Sequence, residues 1–285
     1  MRLCRFEASQ GEPRIGWLVD DSSLVDLTAA GFQSLESLLA SDDCTERLAQ
    51  ITKWPLPKLA LANVRLLVPV DRQEVWAAGV TYMRSKKARM DESEFSATAY
   101  DRVYDAERPE LFFKSLAEKV VPTGEPVGIR QDARWSVPEP ELALVLNSRG
   151  KIVGYTIGND MSSRDIEGEN LLYLPQAKIY SGSCALGPWV QLGITESAAR
   201  EWKIRLKILR QGQAVFSGET SVGQIKRRFD ELAQFLFRSQ SFPHGAVLLT
   251  GTGVVPPDTF TLQEGDLVEI EVSGIGLLRN PVMIV

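Results

Sequence analysis

Glu139, Glu141 and Asp160 fall within one stretch, SVPEPELALVLNSRGKIVGYTIGND, that otherwise reads as buried sheet, and Lys178 follows shortly after it. Residues i and i+2 of an extended segment project from the same face, so Glu139 and Glu141 aim at one point. The run ELALVL behind them is apolar enough to be covered on both faces, and GYTIGND reads as a second strand ending in Asp160. Carboxylates at the ends of core strands repel each other and lose hydration, and a cation relieves both costs. No His or Cys lies in the cluster, and an all-oxygen donor set suits a hard ion such as Mg²⁺, with Mn²⁺ or Ca²⁺ as substitutes, better than zinc or copper. Three carboxylates fill half of an octahedral shell, which leaves positions for water or a chelating substrate. The competing reading makes Glu139 and Glu141 solvated residues of an edge strand, flanked by Pro138 and Pro140, with Asp160 capping a turn. An E-x-E pair alone does not decide between the two; Asp160 and Lys178 favour the metal.

The rest of the chain must supply a scaffold for these groups. Its 285 residues, 44% apolar and 24% charged, suffice for one large domain or two small ones. A net charge of −5 with no Lys/Arg-rich run argues against a nucleic-acid or anionic-membrane surface. Cys4, Cys44 and Cys184 lie far apart without CxxC spacing, which suggests neither a disulfide framework nor zinc and fits a reducing cytoplasm. No stretch approaches the roughly 18 apolar residues of a membrane span, and the N-terminus lacks a signal-like apolar core. His244, the single histidine, sits between Pro243 and Gly245 and reads as a turn residue without a catalytic role.

RLCRFEA, RIGWLVD and SLVDL read as strands, followed by one amphipathic helix near FQSLESLLASDDCTERLAQITKW. The Pro-broken WPLPKLALANVRLLVPVDR marks the passage to a main unit, giving a small N-terminal α+β domain at 1–65 and a larger domain at 66–285. There the expected strands are EVWAAGV, ELFFKS, KVVPTG, PEPELALVL, KIVGYTIGN, LGPWVQLG, WKIRLKILRQGQAVFSGE, AVLLTGTGVV and LVEIEVSGIGLL. The clearest helix there is IKRRFDELAQFLFRS. The pattern predicts an α+β, β-rich fold with a rolled or barrel-like sheet. The charged TYMRSKKARMDESEFSATAYDRVYDAERP reads equally as a solvated helix or as an active-site lid.

The ordered segments GVTYMRS, RPELFFK, EPELALVL, GYTIGNDMSSRD, LPQAKIYSGSCALGPW, LLTGTG and GIGLLRN resemble the fumarylacetoacetate hydrolase superfamily over roughly residues 70–285. The resemblance implies a mixed β-roll catalytic domain behind a small N-terminal domain, a homo-oligomer (dimer or tetramer), and 2-oxo acid substrates. It also implies a divalent metal, usually Mg²⁺, on Glu139, Glu141 and Asp160. Lys178 matches the family's active-site lysine, and Thr252 falls in the Thr-Gly-Thr segment that approaches the substrate carboxylate. Where the hydrolases carry a water-activating histidine, this chain has Ser85, and a hydroxyl of ordinary pKa is no general base near neutral pH. TYMRSKKAR, YDRVYDAERPELFFK and NDMSSRDIEGENLLYLPQAKIY look instead like the 2-keto-3-deoxyarabinonate dehydratase branch, in which a glutamate at the position of Glu110 is paired with the lysine.

That branch implies dehydration of a 2-keto-3-deoxy sugar acid, a pentonate giving 2,5-dioxopentanoate. A metal-chelated 2-oxo acid has an acidified C3 proton, and elimination of the C4 hydroxyl needs a base at C3 and an acid at C4. Lys178 and Glu110 can take these parts in either order. Arg164 and Asp165 read as hydrogen-bond partners orienting Asp160 or as a structural ion pair, and Arg84 and Ser85 as holders of substrate oxygens. The alternatives are an acylpyruvate hydrolase or oxaloacetate decarboxylase of the same superfamily, and a metal-stabilised 2-oxo acid binding protein without catalysis.

Overall fold

Strand-forming runs dominate because β-branched and aromatic residues recur at period two between Gly, Pro and Asx turns. A computed structural model describes residues 1–8, 11–41, 44–51, 53–83 and 102–285. Arg84, Ser85 and most of the charged stretch expected as helix or lid lie outside the described residues.

Among the described residues, one large sheet runs in the order β4-β3-β2-β1-β13-β11-β10-β16-β6-β7, with β5 also paired to β1. Its strands are β1 Arg2–Ala8, β2 Arg14–Leu18, β3 Ser23–Asp26, β4 Lys58–Ala60, β5 Val64–Leu67, β6 Glu74–Gly79, β7 Glu110–Ser115, β10 Pro140–Leu146, β11 Ile152–Asp160, β13 Cys184–Leu192 and β16 Ala246–Leu249. A second sheet, β15-β14-β17-β18-β8, packs against it and comprises β8 Val127–Ile129, β14 Lys203–Arg210, β15 Gln213–Ser221, β17 Leu267–Val272 and β18 Gly276–Ile284. All pairings are antiparallel except β16 with β6 and β18 with β8. The main core lies between the sheets, where Leu142, Leu144, Ile157, Ile204, Leu206, Ile208, Leu248 and Ile270 are buried. Each fully buried aliphatic side chain stabilises by about 1.5–3 kcal/mol.

The first residues extend the central sheet through β1 and β13, and Leu3, Leu35, Leu38 and Leu48 share a core with Val145, Val190 and Leu192. The single N-terminal helix expected from the sequence is two short ones, Leu35–Leu39 and Cys44–Ile51. The first ends at its cap Ala40, and Ser41, a residue type that competes for backbone hydrogen bonds, follows it. KVVPTG forms no strand; Val121 makes only an isolated bridge to Ala185, since Pro122 cannot donate to a ladder. The second expected helix is confined to Phe229–Phe237, and residues 211–212 turn the β14–β15 hairpin with positive φ. The β-rich α+β expectation agrees with this architecture.

Candidate active site

Strand direction brings the chemistry to one edge of the large sheet. Because β16 runs parallel to β6, both end at the same edge; β7 and β10, antiparallel to them, begin there, and β11 ends there beside β10. Gly79, Glu110, Glu141, Asp160 and Gly251 thereby stand at one sheet edge from distant parts of the chain. A two-residue pairing of β9 (Ser136–Val137) with β12 (Ser162–Ser163) closes the end, and the Asp160 N–H donates to the Glu139 carbonyl at 3.0 Å.

Glu139, Glu141 and Asp160 are buried, each offering an oxygen within 4.8 Å of the others. The Lys178 ammonium ends the helix Leu174–Lys178 and donates to Glu139 Oε2 at 2.8 Å, Asp160 Oδ2 at 3.0 Å and Ser162 Oγ at 2.5 Å. Its Nζ also lies 5.8 Å from the centre of the Phe112 ring. Arg164 donates to Glu139 Oε1 at 2.6 Å, and Lys114 pairs with Asp160 Oδ1 at 2.5 Å. Three cations of the chain thus stand against three carboxylates, where sequence reasoning looked to a metal alone for neutralisation.

They are unevenly shared. Glu141 accepts the Gly251 N–H at 2.5 Å, yet among the described residues no cationic side chain stands within ion-pair distance of it. Burial, and then the charges of Asp160 and Glu139, push its carboxyl well above the usual carboxylate range, against the pull of the Gly251 N–H and of Lys178. Burial and the charge of Glu141 also raise the Tyr82 phenol. An all-oxygen trio with one uncompensated member fits a hard divalent cation held by Glu139, Glu141 and Asp160.

The structure brings together Glu139, Glu141, Asp160 and Lys178. Glu110 opens β7 on the face carrying Phe112 and Lys114, with its carboxyl against Gly79. Thr252 is buried nearby, but its hydroxyl turns to Val254 O at 3.1 Å within its own loop. Arg164 meets Glu139 instead of Asp160, while Asp165 accepts the Arg134 N–H at 2.7 Å. His244 sits in a turn, 2.8 Å from Glu36. Lys114, Phe112, Ser162 and the Gly251 N–H escaped sequence reasoning. The period-two alternation of ELFFK, which aligns Lys114 with Glu110, was the available signal.

Two packed mixed sheets that gather three buried carboxylates and a buried lysine at their strand ends define a β-roll built around a hard-cation centre. The chain belongs to the fumarylacetoacetate hydrolase family: the model of its C-terminal domain matches residues 74–283. Similar proteins include a probable 2-keto-3-deoxyxylonate dehydratase of Haloferax volcanii, 42% identical over 275 residues that cover 92% of this chain and 93% of the relative. A 2-dehydro-3-deoxy-D-arabinonate dehydratase of Saccharolobus solfataricus is 42% identical over 230 residues, covering 80% and 77%. Among solved structures, 2-keto-3-deoxy-D-arabinonate dehydratase complexed with magnesium and 2,5-dioxopentanoate superposes with a TM-score of 0.84 at 34% identity, covering 100% of this chain and 99% of that one.

Proposed function

We propose that the protein is a Mg²⁺-dependent hydro-lyase that dehydrates a 2-keto-3-deoxy sugar acid, a pentonate such as 2-keto-3-deoxy-D-arabinonate giving 2,5-dioxopentanoate. The observation that carries this reading is the buried trio of Glu139, Glu141 and Asp160 with Lys178 bonded into it, in a chain 42% identical to two proteins named as dehydratases of such acids. A hard divalent cation on the trio supplies Lewis-acid polarisation of a chelated 2-oxo acid.

The chain's own groups do the rest. Lys178 takes the C3 proton, and Glu110 gives a proton to the C4 hydroxyl, which leaves as water when the C4–O bond breaks. In a pentonate the C3=C4 alkene so formed shifts to the C5 enol, whose tautomer is the aldehyde. Phe112, between Glu110 and Lys114 on one face of β7, presents an apolar wall beside the amine. Arg164 keeps Glu139 oriented. Thr252, Arg84 and Ser85 take part in substrate binding in this reading, and residues 66–285 form the catalytic domain behind an N-terminal domain of residues 1–65. Three free, buried cysteines support placement in the cytoplasm, and none of the described helices is long and apolar enough to cross a membrane. We place the protein in solution as a dimer or tetramer of identical chains.

The experiment is a product assay with Mg²⁺ on a 2-keto-3-deoxypentonate, detecting the aldehyde, beside hydrolysis of an acylpyruvate. Aldehyde formation without acylpyruvate cleavage is expected. Rapid acylpyruvate cleavage without dehydration would overturn the reading.

A further inference from the structure

Lys114 carries its amine into a place with 0% exposure, and the proton transfers above have no use for it. An ammonium has three donors and no acceptor. Here two donors go to main-chain oxygens, that of Lys178 at 2.5 Å and that of Met161 at 3.0 Å, and the charge stands 2.5 Å from Asp160 Oδ1 as an ion pair. These belong to the end of β11, the residue after it and the C-terminal end of the helix carrying Lys178, where carbonyls lack intrahelical partners. Two main-chain bonds and the ion pair fix this amine in place, and the proton transfers above are complete with Lys178 and Glu110, so Lys114 is not assigned a second catalytic part.

We propose that Lys114 is a positioning residue that sets the metal-binding carboxylate and the working amine against each other. It holds Asp160 by Oδ1, which leaves Oδ2 turned to Lys178, and it grips the main chain of Lys178 at the point from which that side chain projects. The inference rests on the reading of Asp160 as a metal ligand and Lys178 as a proton-transfer group.

Positioning and simple electrostatics make opposite forecasts. If Lys114 acted only through charge, removing it would relieve repulsion of a divalent cation and tighten binding. If it positions Asp160, removing it loosens the site.

The test uses Lys114→Met, which keeps the length and removes every donor, and Lys114→Gln, whose amide can still serve the two carbonyls. Melting curves confirm that each is folded, and Mn²⁺ binding to metal-stripped protein is followed by calorimetry. The Mn²⁺ dissociation constant should rise about tenfold or more in Lys114→Met and less in Lys114→Gln, the usual effect of losing a group that orients a ligand. At saturating Mg²⁺, kcat should fall about tenfold or more with KM within about threefold, because the amine of Lys178 is then misplaced toward the reacting carbon. Unchanged or tighter Mn²⁺ binding in a folded variant overturns the proposal. The titration needs no substrate, so a parent protein that binds Mn²⁺ but dehydrates nothing would sink the functional reading while leaving this inference to be judged by metal affinity.

Discussion

The carboxyl of Glu110 occupies the space that a side chain on Gly79 would need: a Cβ at position 79 would stand 1.9 Å from Glu110 Oε2. The two residues face each other across the β6–β7 pair, so the missing side chain at 79 is what lets the acid fold back over the strand end. Gly79→Ala should therefore displace the carboxyl. The clash is with the far end of a flexible side chain, and alanine is at least as favourable as glycine in extended backbone, so the melting temperature should hardly change. Turnover should fall about 10²-fold, as for loss of a proton-transfer group. Parent-like kcat in this variant would show that the acid is not needed where it lies.

The legible part of the site was the part written in strand periodicity. Glu139 and Glu141 share a face because they are two apart, and Asp160 follows an apolar strand, so local pattern sufficed to gather the three carboxylates. Lys114 was illegible because a buried lysine at the end of ELFFK looks like any strand-end lysine until its two main-chain acceptors and the Asp160 carboxylate are brought to it. The Gly251 N–H on Glu141 could not be read either, since backbone donors have no letter in a sequence. The insertion of β16 between β10 and β6 joins it by backbone pairing to segments about 100 and about 170 residues earlier in the chain, and side-chain pattern carries no record of it. The shortened helix at Phe229–Phe237 shows tertiary bonds overriding propensity: Arg227, inside the expected helix, bonds the carbonyls of Ala106 and Glu107 instead.

Metal dependence separates this site from imine chemistry. Lys178 is bonded to Glu139, Asp160 and Ser162, so its amine sits among the carboxylates that would hold the metal; a lysine beside a substrate ketone can form an imine instead, and the two chemistries differ in their need for metal. Exhaustive chelation should abolish turnover and Mg²⁺ should restore it. Borohydride in the presence of substrate should leave the protein mass unchanged. An adduct on Lys178, together with activity that survives chelation, would remove the metal-dependent mechanism from consideration.

Glu141→Gln should cost metal affinity before it costs fold. Burial and its two acidic neighbours already favour the neutral form of this carboxyl in the metal-free protein, and glutamine mimics that form in shape and charge. Melting of the metal-stripped variant should match or exceed the parent's. Its Mn²⁺ dissociation constant should rise by about tenfold or more, because one of three anionic ligands is gone. Parent-like Mn²⁺ affinity would take Glu141 out of the ligand set.

The cysteines should be silent in the folded protein. Burial pushes the thiols of Cys4 and Cys184 up to about 12, and Cys44 is also buried. The reactive thiolate is then a negligible fraction at pH 8, and reagent access is blocked as well. Ellman's reagent should find no fast-reacting thiol in native protein and all three after denaturation. Rapid inactivation by a thiol reagent would place one of the cysteines at the surface or in the chemistry.

The division of labour between Lys178 and Glu110 can be read from isotope exchange, because the two proton transfers occur at different carbons. Glu110→Gln keeps the shape of the side chain and leaves Glu139, Glu141 and Asp160 untouched, so it should retain metal and bind a 2-oxo acid while kcat falls by about 10² to 10⁴. Lys178→Met keeps the volume of the buried side chain and removes the amine from Glu139 and Asp160. In D₂O with Mg²⁺, a base at C3 washes deuterium into that position whether or not the C4 hydroxyl can leave. Exchange should persist in Glu110→Gln and vanish in Lys178→Met if Lys178 is the C3 base and Glu110 the acid at C4. The opposite pattern would reverse the two roles. Loss of exchange in both, with metal still bound, would mean that the two groups act as one proton relay at C3 and that the acid for C4 comes from elsewhere.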